Sequence, residues 1–443
     1  MKGDFHVRFR ENGRVKFPCV TRLEPIIKRP STMKIVQILL VLYLILILGC
    51  SPKNKQVQHF NSFIDTLVLS TEKIKGVGLF PELSGPIHFF DTTKFYKYPV
   101  KFPKNITNMK FAYHIIDFKK FSFANFQNKD KWDDPVLKNN SICIMSGRRE
   151  SDTIFIVDEK NNKNFRDDSV RLYQKMDWKS TAKLIKSKYL IDNGNKLVED
   201  SSWVNIGTIE GDELFIYVSH HLESTFSIDN QTYQIGIADG QLNFSFDEPI
   251  IAMISQNGIK KDTLLELELL KKGEYLKLKD TYYRFDTISN DGKYITLIKE
   301  KDFNSKIGTQ VGMIAPDFYC KSIDGDSILF KDYKGKYLLL INVSACYSKE
   351  SSYKCYKDLT DAYQGKLEFL GIDKSPIFLC NNINELHLTG KFINGNENKT
   401  IDPYRPEFCS RTCFLINPYG RIADKFEIFD WKSKMEHVFG DKK

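Results

Sequence analysis

Five of the nine cysteines of this chain fall between Cys346 and Cys413, so sulfur is the chemistry most available to it. The other four are Cys19, Cys50, Cys143 and Cys320; the cluster itself is Cys346, Cys355, Cys380, Cys409 and Cys413. A thiolate is a nucleophile, a redox partner and a metal ligand. Zinc sites gather closely spaced Cys and His. Here the only close pair is Cys409 and Cys413, four apart, with no C-x-x-C and no neighbouring histidine, which argues against a metal. His220 and His221 are adjacent, and adjacent residues on a strand point to opposite faces, so one site would not use both. No metal and no cofactor is expected. Cys346 stands in a different place. It follows the apolar run 337–343 and precedes a polar, helix-compatible segment. Cys355 and Cys380 read as core residues, a common place for free cysteine. Outside the cytoplasm such thiols often pair, and spacing alone does not give the connectivity.

The elements that must position these residues divide the chain in two. The 443 residues are 42% hydrophobic and 13% aromatic, enough for more than one sizeable core. Residues 60–305 have a β-rich texture. Short alternating runs at 87–90, 153–158, 213–221 and 232–246 are separated by Asn, Asp and Gly turn signals. One sandwich-like domain and two smaller ones both fit this pattern. Loosely helical apolar spacing at Val170, Leu172, Met176, Ala182, Leu184 and Ile185 predicts a helix over 168–188. Residues 264–300 read as three strands ending in an Asn290-Asp291-Gly292 hairpin signal.

The N-terminal stretch reads as an address, not as fold. Residues 35–48 form an apolar run of 14 interrupted only by Gln37, too short for a comfortable membrane span, which needs about 20 residues. The run ends in Ile47-Leu48-Gly49-Cys50-Ser51-Pro52. This resembles a bacterial lipobox, which implies cleavage before Cys50 and lipid on its sulfur. The expectation is therefore an extension or mis-start over 1–32, a signal over 33–49 and a polar tether over 50–59. The partner would be a membrane, through the lipid on Cys50. No acidic run follows Cys50, so the expected location is the cell envelope, on the outer membrane and facing the periplasm. The formal charge of +9 is concentrated in the leader: residues 1–32 carry eight Lys/Arg against three Asp/Glu. No basic cluster with a recognition motif remains, so a nucleic-acid partner is not expected.

From Ile307 the pattern sharpens. Gly312, Ala315, Pro316, Asp317 and Phe318 form a G-x-x-A-P-D-F sequence. A D-G turn (Asp324, Gly325) and a D-Y-K-G-K run (332–336) precede the apolar strand; 367–373 reads as a second strand and 414–424 as a hairpin. Together these resemble Bacteroidetes envelope proteins with a C-terminal thioredoxin-like domain of the TlpA and alkyl hydroperoxide reductase/thiol-specific antioxidant type. The resemblance covers about 130 residues, 307–436. It implies an α+β multidomain chain, a β-rich region followed by a thioredoxin-like α/β domain over 306–443. It also implies a W-C-x-x-C centre after the first core strand. In this chain Tyr347 falls on the tryptophan, and Ser348 and Ser351 fall on the two cysteines. Arg411 falls on the family's cis-proline. An X-Arg cis bond would cost about 2.5–4 kcal/mol, so trans is expected. No Pro and Thr precede Cys346 in the manner of a peroxiredoxin.

These departures frame the functional expectation. Serine hydroxyls stay protonated near neutral pH and do not undergo disulfide exchange. The first reading is a lipid-anchored envelope protein whose thioredoxin fold is kept for binding, with other envelope proteins as candidate partners, or for structure. The second is a thiol-disulfide oxidoreductase or antioxidant protein with displaced sulfur. Its candidate catalytic residues are Cys346 with Cys409 or Cys413, and Arg411 would lower a nearby thiol's pKa. The third places the activity in the β-rich region.

Overall fold

A computed structural model describes residues 57–61, 64–82, 84–91, 101–115, 141–177, 181–209, 211–239, 244, 246, 248–343, 350–373, 376–404 and 411–440. The expected extension, signal and lipidation site at Cys50 lie outside these residues, as do Cys346, Tyr347, Ser348 and Cys409.

The region before residue 305 is built of strands. One sheet runs Gln58–Phe60, His220–Ile228, Gln231–Asp239, Pro249–Gln256, Ile259–Lys260, with Glu72–Lys75 and Leu270–Lys271 joining it off that path. A four-stranded sheet of Tyr275–Leu278, Thr281–Ile288, Tyr294–Glu300 and Thr66–Ser70 shares a core with it. The alternation expected in 294–300 is present: Ile295 and Leu297 are buried and Tyr294 is exposed. A second, separate core joins Ile185–Asp192, Leu197–Thr208 and Leu214–Val218 to Ser141–Arg149 and Asp152–Val157. Among the described β-rich residues these two cores each lie between two sheets, and smaller clusters form around Phe111 and Phe165 and around Phe80 and Leu269.

The helix expected over 168–188 is not formed. Arg171–Leu172 is a short strand, Lys175 bridges Thr208, and Ile185–Asp192 is a strand with Ile185, Ser187, Tyr189 and Ile191 all buried. The true period there is two. Val170 and Leu172, which the helical reading placed on an apolar face, are exposed, and neighbouring strands supply the hydrogen bonds that a helix would have made. Met176 is drawn in by a close approach: a Cβ on Gly207 would come within 2.9 Å of the Gln174 carbonyl oxygen and the Met176 Cα. Backbone cannot yield as a flexible side chain does. Gly207→Ala is therefore expected to cost about 1–3 kcal/mol, read as a fall in the urea midpoint. An unchanged midpoint would mean that the 174–176 segment gives way freely.

The C-terminal region carries one mixed sheet. Its strands are β1 (Leu338–Asn342), β2 (Glu368–Asp373), β3 (Lys391–Asn394), β4 (Thr412–Ile416) and β5 (Ile422–Glu427), in the order β3-β2-β1-β4-β5. The first three are parallel; β4 and β5 run antiparallel. Helices α1 (Glu350–Tyr363), α2 (Pro376–Leu386) and α3 (Trp431–Phe439) follow β1, β2 and β5. This is the thioredoxin-like order of elements. All five residues of β1 are buried, as a strand covered on both faces requires. Leu339, Ile341 and Val343 face Tyr353, Tyr356 and Leu359 of α1 and Met435 of α3. Leu338 and Leu340 face Ala315, Phe318 and Cys320 of the lead-in segment and the Tyr319–Lys321/Ser327–Leu329 hairpin. The G-x-x-A-P-D-F segment docks on the β4–β5 hairpin: Gly312 N–H donates to the Ile422 carbonyl at 2.8 Å and Ala315 N–H to that of Gly420 at 2.9 Å. Gly312 holds φ +95°, which a side chain would strain. Among the described residues no helix is long and apolar enough to cross a membrane.

Candidate functional site

The place where a thioredoxin-like fold does chemistry is the carboxyl end of β1, the start of α1 and the segment ahead of β4. The described part of that place is polar and tightly bonded. Asn342 closes β1. It is buried, and its Nδ2 donates at 2.9 Å both to the Tyr404 carbonyl and to the Thr412 carbonyl. One side chain so fixes both flanks of the segment 405–410, which carries Cys409 and leads into Arg411. Ser352, in the first turn of α1, is buried and donates from Oγ to the Val343 carbonyl at 2.7 Å. It ties the helix start to the strand end. Behind it the Tyr353 hydroxyl donates to the Asp373 carboxylate, and both residues are fully buried.

Among the expected site residues, Ser351 lies on α1 and is exposed. Its neighbour Ser352, not Ser351, makes the internal bond. Arg411 is only 6% exposed. Its backbone N–H donates to Glu427 Oε2 at 2.9 Å, and its guanidinium sits 6.0 Å from the Phe429 ring centre. Cys413 is 0% exposed and its thiol is free. On β4 it faces the helices, in the cluster of Ile341, Tyr353 and Leu359. Burial pushes its pKa well above the ordinary thiol value, and Glu427 and Cys355 push the same way. Arg411, two residues away, does not bring this thiol down. The structure brings Arg411, Ser351 and Cys413 to one end of the sheet. What it says of Cys346, Ser348 and Cys409 ends at the borders of the described residues.

Cys143, Cys320 and Cys355 also carry free thiols. Burial raises Cys320 to about 11. Cys143 is sealed in the core and accepts from Lys163 Nζ at 3.1 Å, yet burial outweighs that lysine and its pKa is raised. No three His, Cys, Asp or Glu side chains converge on a common metal position among the described residues. His220 and His221 are both buried and point apart: His220 Nδ1 meets Ser202 Oγ at 2.5 Å, and His221 Nδ1 meets the Gly76 carbonyl at 2.6 Å.

Sequence reasoning missed Asn342, Ser352 and the Tyr353–Asp373 pair. A signal was available for the first: a lone amide closing the otherwise apolar run Leu-Leu-Leu-Ile-Asn. Asp373, closing β2 after Gly371 and Ile372, is the same kind of sign.

No family model matches the chain, and no curated protein does. Solved structures do. The thioredoxin domain of a thiol-disulfide oxidoreductase from Bacteroides vulgatus matches at 19% identity over 29% of this chain and 97% of its own, with TM-score 0.25. A thiol:disulfide interchange protein from a Bacteroides species matches at 19% identity over 30% of this chain and 93% of its own, TM-score 0.25. Peroxiredoxin Q of Xanthomonas campestris, as a C84S mutant, matches at 10% identity over 27% and 88%, TM-score 0.24. The chain thus has similarity to thioredoxin-like domains of thiol-disulfide oxidoreductases over less than a third of its length.

Proposed function

We propose that this is a lipid-anchored cell-envelope protein whose thioredoxin-like unit binds or braces other envelope components and does not exchange disulfides at its helix start. The observation that carries the reading is the state of the described site. A hydroxyl, Ser351, is presented to solvent where the family has its second thiol, and the thiol of Cys413 is sealed in the core with its pKa raised. A thiol held protonated and out of solvent is a slow nucleophile. Arg411 in the proline position removes a further part of the family's substrate-facing surface. Lipidation at Cys50 rests on the lipobox resemblance and locates the protein at the membrane, on the periplasmic side of the outer membrane.

The direct test is catalysis of insulin reduction by the full chain with dithiothreitol as reductant. No acceleration over dithiothreitol alone is expected. The double substitution Ser348→Cys with Ser351→Cys is expected to confer activity, because the strand before these positions and the helix that carries Ser351 are both formed. Turnover by the unaltered protein, lost on Cys346→Ser, would replace this reading with an oxidoreductase using Cys346 with Cys409 or Cys413. The anchor has its own check. The mass of Cys50 in protein extracted from the envelope should include a diacylglyceryl group, and an unmodified Cys50 overturns that part of the reading.

A further inference from the structure

We propose that Cys355 and Cys413 form a redox-sensitive dithiol site beneath the helix start, whose disulfide ties α1 to the central sheet. Three observations converge on it. Cys355 is on the same stripe of α1 as Ser352 and Leu359, three residues before and four after it, and both of those are buried against the sheet. Cys355 itself is half-buried and packs on the core cluster that contains Cys413. On β4, Cys413 lies opposite Ile341 of β1 and Phe426 of β5, and both of those side chains belong to the same helix-facing cluster. Cys413 therefore points at α1. The two sulfurs are within reach of each other's charge, since Cys355 is among the groups that raise the Cys413 pKa. Both are free thiols.

The two positions differ in a way that assigns roles. Cys355 has access to solvent; burial and then Asp358 raise its pKa, with Lys432 at the start of α3 opposing them. Cys413 is sealed. Oxidation by a small disulfide such as oxidised glutathione then proceeds in two exchanges. The Cys355 thiolate attacks one glutathione sulfur, forming a mixed disulfide and releasing the first glutathione as thiolate. Cys413 gives up its proton and attacks the Cys355 sulfur, breaking the mixed disulfide and releasing the second glutathione. Two protons leave the protein and two electrons reduce the glutathione disulfide to two thiols. Closing the bond needs the two Cα atoms within about 7 Å.

This proposal does not use Cys346 or Cys409 and stands whether or not those residues are active. The test uses the full chain, equilibrated in glutathione buffers of graded ratio, quenched with acid, alkylated after unfolding and mapped by mass spectrometry. The expected product is a peptide pair joined through Cys355 and Cys413, formed reversibly and absent from Cys355→Ser. Cys355 held only as a glutathione adduct overturns the proposal, because Cys413 would then be out of reach. So does a bond between Cys413 and Cys346 or Cys409, and so does a Cys413 that stays reduced in every buffer. The mapping is done on the unaltered protein and does not depend on any variant folding.

Discussion

Asn342→Leu is expected to destabilise the C-terminal region by on the order of 3 kcal/mol. The substitution keeps the branched heavy-atom skeleton and removes two hydrogen bonds at once. The Tyr404 and Thr412 carbonyls lose a donor in a place that water does not reach. Each lost bond to a buried main-chain group costs about 1–3 kcal/mol, more than an exposed bond would. Urea unfolding followed by circular dichroism is the measurement, with the midpoint falling and the slope unchanged. A loss below about 0.5 kcal/mol, the size of an ordinary surface substitution, would show that Asn342 does not hold the 405–410 flanks. If it does hold them, the variant should also expose Cys409 to alkylation faster than the parent protein.

The second large effect is acid sensitivity set by His220. Its imidazole is buried against Phe244 and Ser202, and burial first, then Lys73 and His221, hold its pKa well below 6.5. In the unfolded chain the same group takes up a proton near 6.5. The folded state therefore binds fewer protons as the pH drops below that value, and stability falls with it. The stabilisation is present above about 6.5 and lost on acidification, with a limiting slope of about 1.4 kcal/mol per pH unit for one group. The loss accumulates on acidification from about pH 6.5 until the folded-state imidazole itself takes up a proton. Asp168 works in the opposite sense. Its pKa is raised to about 6 by burial and by Asp158, Asp167 and Glu159, so its contribution is present at low pH and lost as the pH rises through 6. The useful quantity is thus the difference from His220→Gln, which cannot take up the proton. That variant should show a flatter stability curve below pH 6.5. Parallel curves would mean that His220 is not the group responsible.

The C-terminal fold was legible because its signals are local and redundant. The run Leu338–Ile341 is apolar at every position, which only a strand covered on both faces requires, and the G-x-x-A-P-D-F sequence has docking roles in Gly312, Ala315 and Phe318. The region before 305 was legible as strands but not as layers. Alternation says that Ile295 and Leu297 share a face; it does not say that their partners are Leu222 and Phe226, some 70 residues away. The false helix over 168–188 came from apolar residues that belong to different neighbours. Val170 and Leu172 face solvent, while Ile185 enters a core with strands 141–157. At the site, resemblance drew attention to Ser348, Ser351 and Arg411, the positions that depart from a pattern. The bonds that hold the place together are made by Asn342 and Ser352, whose partners are main-chain carbonyls. No residue type marks a carbonyl as a partner, so such bonds leave little trace in a sequence.

The junction between the two regions has a further consequence. Phe303 stacks on Tyr282 with ring centres 3.6 Å apart and meets Tyr275 edge-on. Gln310 uses its side-chain amide as a surrogate peptide group, accepting from the Tyr275 N–H at 2.8 Å and donating to the Tyr275 carbonyl at 2.9 Å. Arg421, on the β4–β5 hairpin, donates to the Asn304 and Gly312 carbonyls. Through these contacts the strand-rich sheet at 275–300 and the thioredoxin-like unit lean on a shared set of residues. Their melting is then linked: a molecule captured by either region raises the unfolding temperature of both, by an amount that grows with the logarithm of its concentration. A thermal-shift screen that follows the unfolding of either region would then register a ligand bound to the other.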